Sequence, residues 1–234
     1  MVRIALFDID GTLLTMGGAA QDAFTQALIE ASGRPIVPEK MSFVGKTDPQ
    51  IARELLTRHG VDGEELAPAV LEAIRLYLGY FESALPGARG ARLLPGVPSL
   101  LAALARRNDV RVALLTGNVE RGARLKLDYF DLTSFFDFRI SAFGSDHADR
   151  YQLPAKALER ARAVIGPDVS GDQLVIIGDS EHDVLCGREV GARSVAVSTG
   201  WTAAETLRAL GPDALLADLS DTGAAVAAIA GGTA

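Results

Sequence analysis

The chain of 234 residues has a net charge of -7, an isoelectric point near 5.0 and 48% hydrophobic residues. It can bury a substantial core, as one large domain or one domain with an insertion, and it is too apolar to be disordered. The acidic balance, with no run of five or more like charges, disfavours a nucleic-acid surface.

Cys186 is the single cysteine, which excludes an intrachain disulfide and a thiolate cluster for zinc and fits a buried thiol in a reducing cytoplasm. The N-terminal stretch MVRIALFDID lacks the hydrophobic region and cleavage site of a signal peptide. The longest apolar stretch, LLPGVPSLLAALA from Leu93, is broken by Pro95, Gly96 and Pro98 and is too short to span a bilayer. A soluble, cytoplasmic protein is expected, with no membrane or nucleic-acid partner.

In chain order, RIALF from Arg3 reads as a strand buried on both faces and runs directly into Asp8 and Asp10. Asp10-Gly11 is a turn dipeptide, which accounts for Asp10 but not for Asp8. Two like charges this close raise each other's pKa unless a cation or hydrogen bonds neutralise them, so the pair asks for a metal. Residues 17 to 85 then show three helical patterns and no convincing strand. Phe24, Ala27, Leu28 and Ala31 share one face; Ile51, Ala52, Leu55 and Leu56 share another; Val70, Ala73, Ile74, Tyr77, Leu78 and Phe81 form a long third stripe. LPGARGARLLPG from Leu85 reads as a return linker.

VRVALLT from Val110, LVIIGD from Leu174 and SVAVS from Ser194 continue the strand pattern, with helical spacing over 119–129, 154–165 and 180–190. DALLADL from Asp213 reads as a further strand and TGAAVAAIA as a closing helix. The expectation is an α/β fold, a doubly wound, Rossmann-like parallel sheet, with residues 1–16 and 88–234 as the core and 17–87 as an α-helical insertion.

Three strands end at Asp8, Thr116 and Asp179, and open parallel sheets bind ligands at those ends. Each motif has a plain structural alternative: TGN can be a helix entry with Asn118 as N-cap, and SEHD from Ser180 fits a capping box. LLTGN nevertheless suits a phosphate, because a helix N-terminus presents free N–H groups. GDSEHD places Asp183 one helical turn after Asp179, so Asp8, Asp10, Asp179 and Asp183 converge as four oxygen donors. Four carboxylates without thiolates favour Mg²⁺, and Mg²⁺ with a phosphate site points to phosphoryl transfer.

DIDGT, LLTGN and IIGDSEHD, in this order, resemble the motifs of the haloacid dehalogenase superfamily of hydrolases, and the helical insertion resembles that superfamily's cap. The resemblance covers nearly the whole chain. It implies that Asp8 is the nucleophile that becomes an aspartyl phosphate and that Asp10 is the acid and base. It implies that Thr116, Gly117 and Asn118 hold the phosphate oxygens. Mg²⁺ would be held by Asp8, Asp179 and the main-chain carbonyl of Asp10, with Asp183 helping through water or by orienting a basic side chain.

The superfamily's lysine, often followed by proline, is missing from DHADRYQLPAKALERA. Arg150 in the loop is the expected substitute, with Lys156 inside the helix as rival and Asp146 and His147 as possible lining residues. FVGKTDPQI resembles the cap loop of phosphoglycolate phosphatase-like members, making Lys46 a candidate for a substrate's distal anion, although Thr47 or Asp48 before Pro49 is also a good helix start. The resulting expectation is a Mg²⁺-dependent phosphatase of a small phosphomonoester, phosphoglycolate favoured. A sugar phosphomutase is the alternative; a dehalogenase, which does not need Asp10, and a noncatalytic member of the fold are less favoured.

Overall fold

Alternation along the first strand decides how the molecule is layered. In the computed structural model, which describes residues 2–37 and 43–231, strand β1 (Arg3–Phe7) sends Ala5 and Phe7 into one core cluster and Ile4 and Leu6 into another. A strand buried on both faces must be apolar along its buried length, as Ile4 to Phe7 are, with Arg3 at the half-buried start.

The chain continues through β2 (Leu14–Thr15), helices α1 (Ala19–Ser32), α2 (Asp48–Arg58) and α3 (Gly63–Ala84), β3 (Arg92–Leu93), α4 (Val97–Ala105), β4 (Val110–Thr116) and α5 (Glu120–Asp128). Then follow β5 (Ala142–Phe143), α6 (Leu153–Val164), β6 (Leu174–Gly178), α7 (Glu181–Leu185), β7 (Arg193–Val197), α8 (Ala204–Ala209), β8 (Ala214–Leu216) and α9 (Thr222–Ala230). Six strands form a parallel sheet in the order β5-β4-β1-β6-β7-β8. Residues of α4, α5 and α9 bury one face; α6 packs on the other, where α7 and α8 cover β7 through Val184 and Leu207. The doubly wound α/β architecture is therefore the one expected.

Register places the site. Phe7 pairs with Leu114 on one side and Ile177 on the other, so Asp8, Thr116 and Asp179 emerge together at the carboxyl end of three adjacent strands. The Asp8 N–H donates to the Ile177 carbonyl at 2.9 Å, extending the ladder to the aspartate itself.

The insertion leaves and rejoins the sheet through an antiparallel pair, β2 with β3, in which Leu14 faces Leu93 and Thr15 faces Arg92. The expected linker thus contains a strand, too short to show periodicity in sequence. Within the insertion α1 packs on α3, with Phe24 edge-on to Tyr77 (centroids 4.9 Å apart) and Tyr77 stacked on Phe81 (5.7 Å). Residues 38–42 of the expected cap lie outside the described residues. Further differences from the sequence reading are α4, α8 and β5, which it did not assign, and α7, which ends at Leu185 before a separate turn of 3₁₀ helix over Arg188–Val190.

Candidate active site

Asp8, Asp179 and Asp183 are buried and offer carboxylate oxygens that all lie within 4.8 Å of one another. Each is held by a different element. Asp8 follows β1; Asp179 follows β6 and accepts a 2.8 Å hydrogen bond from the Thr12 hydroxyl. Asp183 closes a capping box with Ser180 at the start of α7, its Oδ2 accepting from the Ser180 N–H at 3.0 Å and hydroxyl at 2.6 Å. The capping alternative for SEHD is thus realised, and it directs the same acid into the cluster. Gly11, at φ +85°, makes the turn after Asp10, and a Cβ there would lie 2.5 Å from an Asp179 oxygen, so the turn closes against the cluster.

Burial pushes Asp179 up to about 8, with the Asp183 and Asp8 charges adding to it. Burial also lifts Asp8 to about 6, where Arg150 pulls downward against Asp183 and Asp10. Arg150, 2% exposed, bonds Asp183 and lies 3.5 Å from Asp8. Lys156 instead pairs with Glu159 on the surface of α6. Of the two basic candidates, the fold therefore brings Arg150 and not Lys156 to the acids.

Asp10 keeps its carboxylate outside this cluster. Its Oδ2 accepts from the Asn118 amide at 2.8 Å and from the Lys126 ammonium at 2.6 Å, so the Asp10 carboxylate is not one of the clustered oxygens that the sequence predicts. Asn118 also donates to the Thr116 hydroxyl, at 2.9 Å, and accepts from Lys126 at 2.6 Å. The N-cap of α5 is Val119, not Asn118, so the asparagine is spent on this network rather than on the helix. Lys126 was not singled out from sequence. Its signal was available: a lysine beside Leu127 and three residues after Ala123, where the face of α5 is otherwise apolar.

The insertion reaches the same place. Thr47 caps α2 by accepting from the Gln50 N–H, and the Asp48 N–H donates to the Gly117 carbonyl at 2.8 Å. Asp48 in turn accepts from the Val119 N–H at 2.8 Å, and burial lifts its carboxyl to about 6 against the pull of Lys126. A Cβ on Gly117 would lie 2.0 Å from the Lys46 carbonyl, so glycine permits this close docking. Lys46 lines the cavity, but its ammonium is paired with Glu54.

These elements enclose a cavity of about 510 Å³ whose walls include Asp8, Asp10, Thr116, Gly117, Asn118 and Lys126, with Phe24, Tyr77 and Trp201 on its apolar parts. Asp146 and His147 are not among its lining residues: Asp146 binds Arg160 and the Phe143 N–H, and His147 accepts from the Asp149 N–H. Cys186 is buried as expected, and burial pushes its thiol up to about 12. No described helix is long and apolar enough to cross a membrane.

Residues 5–188 match the family model of the haloacid dehalogenase-like hydrolases. A phosphoglycolate phosphatase of Pseudomonas savastanoi pv. phaseolicola is 30% identical over 224 residues, covering 93% of this chain and 77% of that protein. One of Photorhabdus laumondii subsp. laumondii is 26% identical over 222 residues, covering 94% of this chain and 90% of the relative. Among solved structures, CbbY from Rhodobacter sphaeroides in complex with phosphate shares the fold at a TM-score of 0.73 and 22% identity, over 95% of this chain and 97% of that one. The acid cluster at the strand ends and the match across both halves of the chain lead to one assignment: the chain belongs to the haloacid dehalogenase-like hydrolase family, as one of its phosphatases.

Proposed function

We propose that the chain hydrolyses a small phosphomonoester in two displacements, with Asp8 as nucleophile. The observation that carries this reading is the division of labour between two neighbouring acids. Asp8 sits with Asp179, Asp183 and Arg150, whereas Asp10 turns to Asn118 and Lys126 on the cavity wall. Asp8 attacks phosphorus while Asp10 protonates the departing alkoxide oxygen, giving an alcohol and an aspartyl phosphate. Asp10 then takes a proton from the water that attacks the phosphoryl group, releasing inorganic phosphate and free Asp8.

The Thr116 hydroxyl and the backbone of Gly117 and Asn118 are the proposed holders of the phosphoryl oxygens. Arg150 neutralises them and Asp8 together. Its Nε is buried without a hydrogen-bond partner among the described residues, a spare donor on a side chain that lines the cavity. The donor set fits Mg²⁺, because three clustered carboxylates without thiol or imidazole are hard oxygen ligands whose mutual repulsion a divalent cation relieves. Asp8, Asp179 and the Asp10 carbonyl would hold it, with Asp183 supporting through water or by orienting Arg150; when bound it supplies charge neutralisation at the phosphoryl group.

Residues 17–87 are the proposed cap and 1–16 with 88–234 the core, the cap setting selectivity and excluding water. Phosphoglycolate is the favoured substrate, supported by the relatives of that name, with Lys46 exchanging Glu54 for the substrate carboxylate. A panel of phosphorylated metabolites assayed with Mg²⁺, with Asp8→Asn as control, tests this. The expectation is turnover by the native chain and none by the variant, and equal turnover by both would overturn the mechanism.

A further inference from the structure

Lys126 occupies a position that its helix would otherwise fill with an apolar side chain. It is 3% exposed on α5, on the face that also buries Ala123 and Leu127, and its ammonium lies 6.0 Å from the centre of the Phe81 ring on α3. A buried ammonium is strongly unfavourable unless its donors are used. Here they go to the Asp10 Oδ2 and the Asn118 Oδ1, both at 2.6 Å, and the Asn118 amide closes the triangle on the same Asp10 oxygen at 2.8 Å. Arg150 serves Asp8 and Asp183, while Lys126 serves Asp10, so the two acids of the first motif are held by separate cations.

Asp10 needs such a partner. Its side chain is 46% exposed to the cavity, so nothing in local packing fixes its rotamer. We propose that Lys126 is a positioning residue: with Asn118 it pins the Asp10 Oδ2, keeps this carboxylate apart from the Asp8, Asp179 and Asp183 cluster, and leaves Oδ1 to exchange the proton with the leaving oxygen. A fixed proton donor is worth far more than one that wanders among rotamers. The inference rests on the reading of Asp10 as acid and base.

The test compares leaving groups. An alkyl phosphate requires a proton on its departing oxygen, whereas p-nitrophenyl phosphate departs as a stable phenolate. With Mg²⁺ present, Lys126→Met is expected to lower kcat/KM, which covers the steps up to the aspartyl phosphate and not its hydrolysis, by at least about tenfold more on the alkyl ester than on the aryl ester. Asp10→Asn is expected to show the same selectivity, and adding Lys126→Met to Asp10→Asn should cost nothing further on the alkyl ester, because the lysine acts through the aspartate. If Lys126→Met does not fold, Lys126→Gln is read by the same ratio.

Equal losses of kcat/KM on both esters, or a further loss of it in the Asp10→Asn background, would make Lys126 a structural plug and overturn the inference while leaving Asp10's role intact. An Asp10→Asn variant whose kcat/KM falls alike on both esters would overturn the reading of Asp10 as the acid, and the lysine's role with it.

Discussion

Arg150 is the residue on which the buried electrostatics turn. Its guanidinium lies between Asp183 and Asp8, and removing it leaves two buried carboxylates without their cation. Arg150→Met should destabilise the protein by about 3–5 kcal/mol, measured by urea unfolding, and abolish phosphatase activity. Lys156→Ala should change stability by less than about 0.5 kcal/mol and leave kcat unaltered, since its partner Glu159 is a solvated neighbour on the same helix. The preference for Arg150 was legible in sequence because it stands in a loop before a helix, while Lys156 stands within one. For Lys126 the spacing marks only a lysine on an apolar helix face; its partner, an acceptor 116 residues away, is set by the fold.

At the scale of elements, apolar strands of three residues or more announced themselves, β8 within DALLADL included, and two-residue strands did not. β1, β4, β6 and β7 carry five to seven apolar-rich residues, enough to show burial on both faces, whereas β2, β3 and β5 are two residues long and exist only through their pairing. The loop before α2 shows the same limit. Thr47-Asp48-Pro49 reads as a helix start, which it is, but its docking on the Gly117 loop depends on a backbone contact across the fold. Gly117→Ala should force that loop back from the Lys46 carbonyl. The expected results are faster hydrogen exchange at the Asp48 N–H, a stability loss of about 1–3 kcal/mol and a raised KM.

For the whole molecule, the acid cluster ties stability to pH and to metal. Burial raises Asp179 to about 8 and Asp8 to about 6, so the metal-free folded protein retains protons that the unfolded chain, with carboxyls near about 4, has already lost. The folded state then binds more protons than the unfolded one, and this contribution to stability falls as pH rises from about 4 to about 8. Thermal melts in chelator should show that decline, and Asp179→Asn should flatten it. Mg²⁺ should raise Tm more at pH 8 than at pH 5, because its ligands must be deprotonated. A larger Mg²⁺ effect at pH 5 would count against the cluster as the metal site. The sequence by itself determined the parallel sheet, the helical segment after the first strand and the strand-end positions of Asp8, Thr116 and Asp179, because hydrophobic period marks where each strand stops and parallel strands all end on one side. Only the tertiary structure decided that Asp10 turns away to Lys126, that Lys46 is paired with Glu54 and that Arg150 bridges Asp8 and Asp183, because side-chain partners across the fold are set by packing and charge satisfaction in three dimensions.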